Sequence, residues 1–139
     1  MKSSLRYAPL SKDQTGKGIE ECYEDLFNNA PCGYISLTPD SHIAMVNNTV
    51  SAWTGYSREN LIGKRVHDVL QFSSGVFLET HIRPLLRMQG FVDEVALDFK
   101  TARDDKLPTL ASATERRDAV GSHISTRLIL LKAIDRRKY

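Results

Sequence analysis

The side chains that most often perform chemistry are scattered along this chain of 139 residues. Cys22 and Cys32 lack the CxxC spacing of a zinc or redox site, so we predict two reduced, packed thiols. Asp104 and Asp105 are predicted to lie in a turn, and no Gly-x-Ser-x-Gly sequence marks a nucleophile. The histidines fall in separate predicted elements without the spacing of metal ligands: His42, His67, His81 and His123. We therefore expect neither an enzyme nor a metal site.

Net charge and hydropathy exclude two kinds of partner. The formal net charge is +2, and the basic residues are dispersed apart from a short run at 136–138, so no nucleic-acid surface is predicted. No apolar run approaches the roughly 20 residues that a membrane-spanning helix requires, and the N-terminus carries no secretory signal. We expect a cytoplasmic location without membrane contact by this segment. A soluble piece of a membrane-anchored parent is compatible with the same pattern.

The N-terminal region is predicted to hold a tether and an amphipathic helix. Residues 1–18 are polar and are interpreted as a flexible leader. From residue 19 onward, apolar residues recur at helical spacing opposite acidic residues. The apolar stripe consists of Ile19, Tyr23, Leu26 and Phe27. This stripe must be buried, either on the chain's own sheet or on the sheet of a second copy.

The next segment is predicted to be a β-hairpin followed by two short helices. Residues 33–37 and 43–46 are short β-prone runs separated by a turn sequence. Asn47 is placed to cap a helix that ends at Gly55, and the Ser57 hydroxyl is placed to cap the helical turn that follows.

The second half of the chain is predicted to be a longer helix and three strands. The helix covers residues 76–89 and contains Pro84, which predicts a kink near Arg83 or a new helical start. The three strands are residues 91–100, 107–117 and 124–134. Two groups of strands separated by a helical block predict an α+β fold with an antiparallel sheet.

In this order of elements, and in several motifs, the chain resembles a PAS domain over roughly residues 20–135. The most specific motifs are Val46-Asn47, Trp53-Thr54-Gly55-Tyr56-Ser57, Asn60-Leu61-Ile62-Gly63-Lys64 and, near the C-terminus, Ile134-Asp135-Arg136-Arg137. Two positions depart from the family pattern: Val50 stands where an aromatic residue is common, and Asn60 where glutamate is common. Neither change alters the packing that the motif implies.

The resemblance implies an architecture and a role. The architecture is a five-stranded antiparallel sheet in the order 2-1-5-4-3 with helices on one face. Residues 19–135 would be the sensory domain and residues 136–139 the start of an exit helix, with Asp135 and Arg136 at the signal output. The resemblance further implies a homodimer formed through the first helix. It also implies control of a C-terminal effector absent from this chain: a histidine kinase, a diguanylate cyclase or a phosphatase.

The resemblance also implies a sensor for a small molecule or a redox cue, bound between the sheet and the helices. The candidate lining residues are His67, Phe72, Phe77, His81, Leu85, Val95, Leu97, Ala111, Ala113, Ile129 and Leu131. The ligand stays unidentified. Haem is disfavoured because His81 is offset from the usual ligand position, and a flavin photo-adduct is excluded because Val66 replaces its cysteine. The alternative is a filled core in a ligand-free dimerisation or interaction module.

Overall fold

The computed structural model describes residues 7–12 and 18–133. The strands in this part of the chain are β1 (Tyr7–Lys12), β2 (Gly18–Cys22), β3 (Gly33–Leu37), β4 (Ile43–Val46), β5 (Phe91–Lys100), β6 (Lys106–Arg117) and β7 (His123–Lys132). The α-helices are α1 (Tyr23–Asn28), α2 (Asn48–Thr54), α3 (Arg58–Leu61), α4 (Phe72–Phe77) and α5 (Arg83–Gln89). A 3-10 turn (Val66–Val69) precedes α4, and a π-helical segment (Leu78–Ile82) joins α4 to α5.

Strands β3 to β7 form one antiparallel sheet in the order β4-β3-β7-β6-β5. Numbered from β3, this is the order 2-1-5-4-3, so the predicted α+β fold and its topology are confirmed. Strand β7 lies at the centre, where Leu128 is opposite Ile35 of β3 and Leu130 is opposite Ala111 of β6. Because successive side chains point to opposite faces, these residues mark one face, the inner face.

The helices cover the inner face, and the core lies between the two layers. Residues of the helical layer that are buried in this core include Leu61, Leu78, Ile82 and Leu86. They pack with aliphatic and aromatic side chains from the strands: Ile35, Leu37, Leu97, Phe99, Ala111, Ala113, Leu128 and Leu130. The opposite side of the sheet, the outer face, carries Tyr34 and Ile129, which are opposite each other in β3 and β7.

Asn47 ties the helical layer to the strands and to α1. Its Oδ1 accepts the amide of Val50, which caps α2, and the amide of Tyr34 in β3, at 3.2 and 3.1 Å. Its Nδ2 donates to the carbonyls of Phe27 and Cys32, at 2.8 and 3.0 Å. The side chain is fully buried. The predicted cap is therefore confirmed, and the same side chain also fixes β3 and the segment that precedes it.

The long helix differs from the prediction in its start, because it begins at Phe72 in α4 rather than at residue 76. A π-helical segment separates α4 from α5. The predicted alternative of a new helical start is confirmed, since Pro84 lies in the first turn of α5. The helix ends at Gly90, whose φ of +85° favours glycine.

The N-terminal prediction is wrong in two respects. Part of the predicted leader forms β1, which pairs with β2 in an antiparallel hairpin. Ile19 consequently lies in a strand, and the helix that was predicted from residue 19 begins only at Tyr23. The apolar spacing fits a helix, but pairing with β1 supplies the backbone hydrogen bonds of residues 18–22, and Cys22 is still extended.

Two further comparisons concern the C-terminus and the membrane. Strand β7 ends at Lys132, short of the predicted residue 134. Asp135 and Arg136 lie outside the described residues, so the predicted signal output stays a prediction. Within residues 7–12 and 18–133, every helix is too short or too polar to cross a bilayer.

Candidate functional site

Five of the predicted lining residues lie between the sheet and the helices. Leu97, Ala111 and Ala113 are buried in the core cluster, and Phe77 and Val95 pack against it. These side chains therefore occupy the position where the resemblance places a ligand cavity.

Two predicted lining residues are on the wrong face of the sheet. Ile129 and Leu131 alternate with Leu128 and Leu130 along β7. Ile129 and Leu131 are exposed, whereas Leu128 and Leu130 are buried. Since the side-chain period of a strand is two, an error of one residue exchanges the faces completely. The inward residues of β7 are therefore Leu128 and Leu130, and Ile129 belongs to the outer face.

Three predicted lining residues of the helical layer point to solvent. Phe72 is 86% exposed, and Leu85 and His81 are also exposed. The His81 ring stacks on Phe77 at a centroid distance of 4.8 Å, and its Nδ1 lies 2.8 Å from the Thr80 hydroxyl. Helical spacing over residues 76–89 had grouped His81 and Leu85 with the apolar residues, but the π-helical segment interrupts that spacing. Phe72 precedes the predicted helix and lies in α4.

His67 lies in a recess of about 380 Å³ on the surface of the helical layer. Its Nε2 is 2.7 Å from Glu79 Oε1, and the same oxygen is 3.2 Å from Arg83 Nε. Neither contact has the alignment of a hydrogen bond. Glu79 thereby links the 3-10 turn to the π-helical segment. Phe72 forms the exposed wall of the recess.

The positions of the histidines do not fit a haem group in the core. His81 is exposed, and His67 is directed to Glu79 on the surface. The flavin adduct fails on chemistry, because position 66 is a buried valine with no thiol. No set of three or more His, Cys, Asp or Glu side chains is arranged to hold a metal ion in the described part of the chain.

A larger concavity, the outer groove, lies on the outer face of the sheet and measures about 620 Å³. Its lining includes Phe27, Tyr34, Ser36, Met45, Asp93, Ser112, Thr114, Arg116, Arg127 and Ile129. The lining combines apolar side chains with hydroxyls, two guanidinium groups and one carboxylate. The groove is not predictable from the residue pattern, because alternating residues on a solvent-facing strand carry no sign of concavity.

Helix α1 borders the outer groove. Phe27 stacks on Tyr34 with ring centroids 5.5 Å apart, while Tyr23 and Leu26 are exposed. The predicted dimer helix therefore presents two uncovered apolar side chains beside the sheet. Hydrogen bonding to the Cys32 side chain, followed by its Coulombic effect and by burial, raises the pKa of Tyr34.

A polar cluster at the end of β6 and the start of β7 was also not predicted from the sequence. The Glu115 side chain is only 4% exposed and lies 2.6 Å from Arg117 Nη2 and 3.4 Å from His123 Nδ1. His123 Nε2 is 3.0 Å from the hydroxyl of Thr126, which is buried. Carboxylate, imidazole and hydroxyl follow one another as in a catalytic triad, but the carboxylate is shared with an arginine and the hydroxyl faces the core. The cluster stabilises the hairpin of β6 and β7.

Comparison with known sequences gives this fold its family. A sequence model described as the PAS domain matches residues 31–131. The chain belongs to the PAS domain family. The matched region begins after α1 and includes all five strands of the large sheet, so the predicted membership is confirmed.

One relative of this PAS domain is part of a longer phosphatase. The phosphoserine phosphatase RsbP of Bacillus subtilis is 27% identical over 105 residues, which are 76% of this chain and 26% of that protein. The chain thus spans about a quarter of the length of this relative.

Solved structures support the fold. The PAS domain of a protein from Colwellia psychrerythraea superposes with a TM-score of 0.73 at 12% identity, over 78% of this chain and 92% of that chain. A PAS domain in complex with ethanol, from a transcriptional regulator of the LuxR family of Burkholderia thailandensis, gives a TM-score of 0.65 at 21% identity, over 81% and 97%. Both neighbours share the PAS fold that the family model assigns to this chain.

Proposed function

We propose that this PAS domain is the input module of a bacterial, cytoplasmic multidomain signalling protein. It senses a small molecule or a redox cue, forms a homodimer and controls a C-terminal effector. The observation that carries the proposal is the central position of β7, the last strand, between β3 and β6. A change at either half of the sheet is transmitted to the strand from which the chain continues. The length of RsbP, nearly four times the matched region, supports a multidomain parent.

The effector is proposed to be an enzyme of signal transduction. The name of RsbP, a phosphoserine phosphatase, favours a phosphatase among the effectors that the family resemblance implied. Sensing of a small molecule is supported by the ethanol complex of the PAS domain from Burkholderia thailandensis. A ligand changes the output only if it binds two conformations of the domain with different affinity.

The dimer is proposed to form through the exposed side of α1, beside the outer groove. Tyr23 and Leu26 are exposed on a short helix that would be marginal in isolation. Burial of these side chains against a second copy removes apolar surface from water. Light scattering after gel filtration tests this: we expect a dimer for the chain and a monomer for Tyr23→Ser with Leu26→Ser. Val120→Ser, a change at an exposed residue of the β6–β7 turn, is the control. A monomeric unmodified chain would contradict the dimer.

The sensing role is tested by native mass spectrometry beside an absorption spectrum of freshly purified protein. A bound mass on each chain, or a visible chromophore band, supports a ligand sensor. A colourless protein at its bare chain mass favours the second candidate, a ligand-free dimerisation module. That candidate is supported by the burial of Leu97, Ala111 and Ala113 within a single cluster.

A further inference from the structure

The outer groove has an ordered arrangement of polar and apolar rows. Tyr34, Ile129 and Ser112 are directly opposite one another in β3, β7 and β6. The next row on the same face contains Arg127, which is opposite both Ser36 and Thr114. An apolar strip with a hydroxyl at its end therefore runs beside a strip that carries a guanidinium group between two hydroxyls.

A second guanidinium group lies diagonally across from the first. Arg116 is two residues beyond Thr114 in β6, so it is the diagonal neighbour of Arg127 on the same face. Like charges at such positions repel each other. No carboxylate in the described part of the chain lies within ion-pair distance of either arginine. An anion bound between the two would relieve the repulsion and form paired, charge-assisted hydrogen bonds.

The third charged group of the groove, the Asp93 carboxylate, lies at one edge of it. Asp93 lies in a β-bulge of the edge strand β5, where the register shifts between Val92 and Val95. Glu94 in the bulge has a φ of +50°, and its amide donates to the Ser112 hydroxyl at 3.1 Å. Since β5 pairs with β6 on the side away from β7, Asp93 repels an anion at that edge and favours one placed over Arg116 and Arg127.

We propose that the outer groove binds a small organic acid, whose carboxylate lies between Arg116 and Arg127. Its hydrocarbon or aromatic body lies on the apolar strip of Tyr34 and Ile129, with Phe27 closing the end beside α1. A volume of about 620 Å³ is in the range of small-molecule sites. This site is separate from the core between sheet and helices. It deepens the proposed function by giving the sensed ligand a place and a chemical class.

Titration with decanoate tests the site, with binding followed by calorimetry and by amide chemical shifts of the labelled chain. We expect saturable binding, with the largest shifts at Ser36, Thr114 and Arg127. The double variant Arg116→Gln with Arg127→Gln should lose about tenfold in affinity, since two exposed ion pairs are removed. Arg87→Gln, a change at an exposed arginine of α5, is the matched control and should bind as the unmodified chain does.

Three outcomes would overturn the site: no saturable binding, equal affinity in the double variant, or shifts confined to residues of the helical layer. Decanol separates the apolar contribution to binding from the carboxylate contribution. It has the same hydrocarbon tail but lacks the carboxylate, so it should bind more weakly than decanoate. Circular dichroism of each variant excludes unfolding as the cause of a loss. A monomer that binds decanoate contradicts only the proposed dimer, while a dimer that fails to bind it overturns only this site.

Discussion

The two faces of the same sheet have different physical characters. The inner face is mainly apolar and is buried beneath the helices. The outer face mixes exposed apolar side chains with hydroxyls and two arginines. Because both faces come from the same strands, the backbone cannot distinguish them, and only the alternate side chains do. The inner face therefore determines the fold, whereas the outer face is free to carry recognition.

The largest expected difference between the faces is in stability. Leu130 and Leu131 are neighbours in β7, but they are 2% and 49% exposed. Replacing Leu130 by alanine leaves a cavity in the core and should lower the free energy of unfolding by about 3 kcal/mol. Replacing Leu131 by alanine removes a half-exposed side chain and should cost about 1 kcal/mol or less. Urea unfolding measures both, and equal losses would contradict the assignment of the faces.

The sequence predicted the elements and the caps better than it predicted the faces. The predictions that Asn47 caps the start of α2 and that Gly55 ends it were correct. Caps are local and depend on hydrogen bonding or on φ. The error at Ile129 and Leu131 arose because β7 is apolar on both sides, so the period of two is not visible in residue types. The hairpin of β1 and β2 was missed because its strand pairing is decided by a partner segment and not by apolar spacing.

The next prediction concerns the link between the faces. Asn47 joins the inner helical layer, through Val50, to the outer side, through Phe27. Asn47→Ala leaves buried amides and carbonyls without partners, so we expect a loss of about 2–3 kcal/mol in the free energy of unfolding. It should also loosen α1, because the bond to the Phe27 carbonyl disappears.

Hydrogen exchange of the variant resolves the two effects. Faster exchange in both α1 and α2 is expected relative to the unmodified chain. Asn48→Ala, a change at the exposed neighbour of Asn47, serves as the control and should leave α1 unchanged. Faster exchange confined to α2 would show that Asn47 acts only as a helix cap and does not connect the faces.

The smallest expected effect concerns a charge outside the core, in the turn between β3 and β4. The hydrogen bond from the Thr38 hydroxyl, followed by that from His42, holds the pKa of Asp40 below its model-compound value of 3.8. A carboxyl whose pKa is lowered by folding stabilises the native state above the unfolded pKa, and this contribution disappears as the pH falls through the folded pKa. Asp40→Asn should therefore make the acid side of the stability profile slightly less steep below about pH 4. Because Asp40 is exposed, solvent screening keeps the change small.

Urea unfolding at a series of pH values compares Asp40→Asn with Asp104→Asn, a change in another exposed turn. An effect as large as that of Leu130→Ala would mean that a surface charge contributes as much as the inner face, which would contradict the division between the two faces.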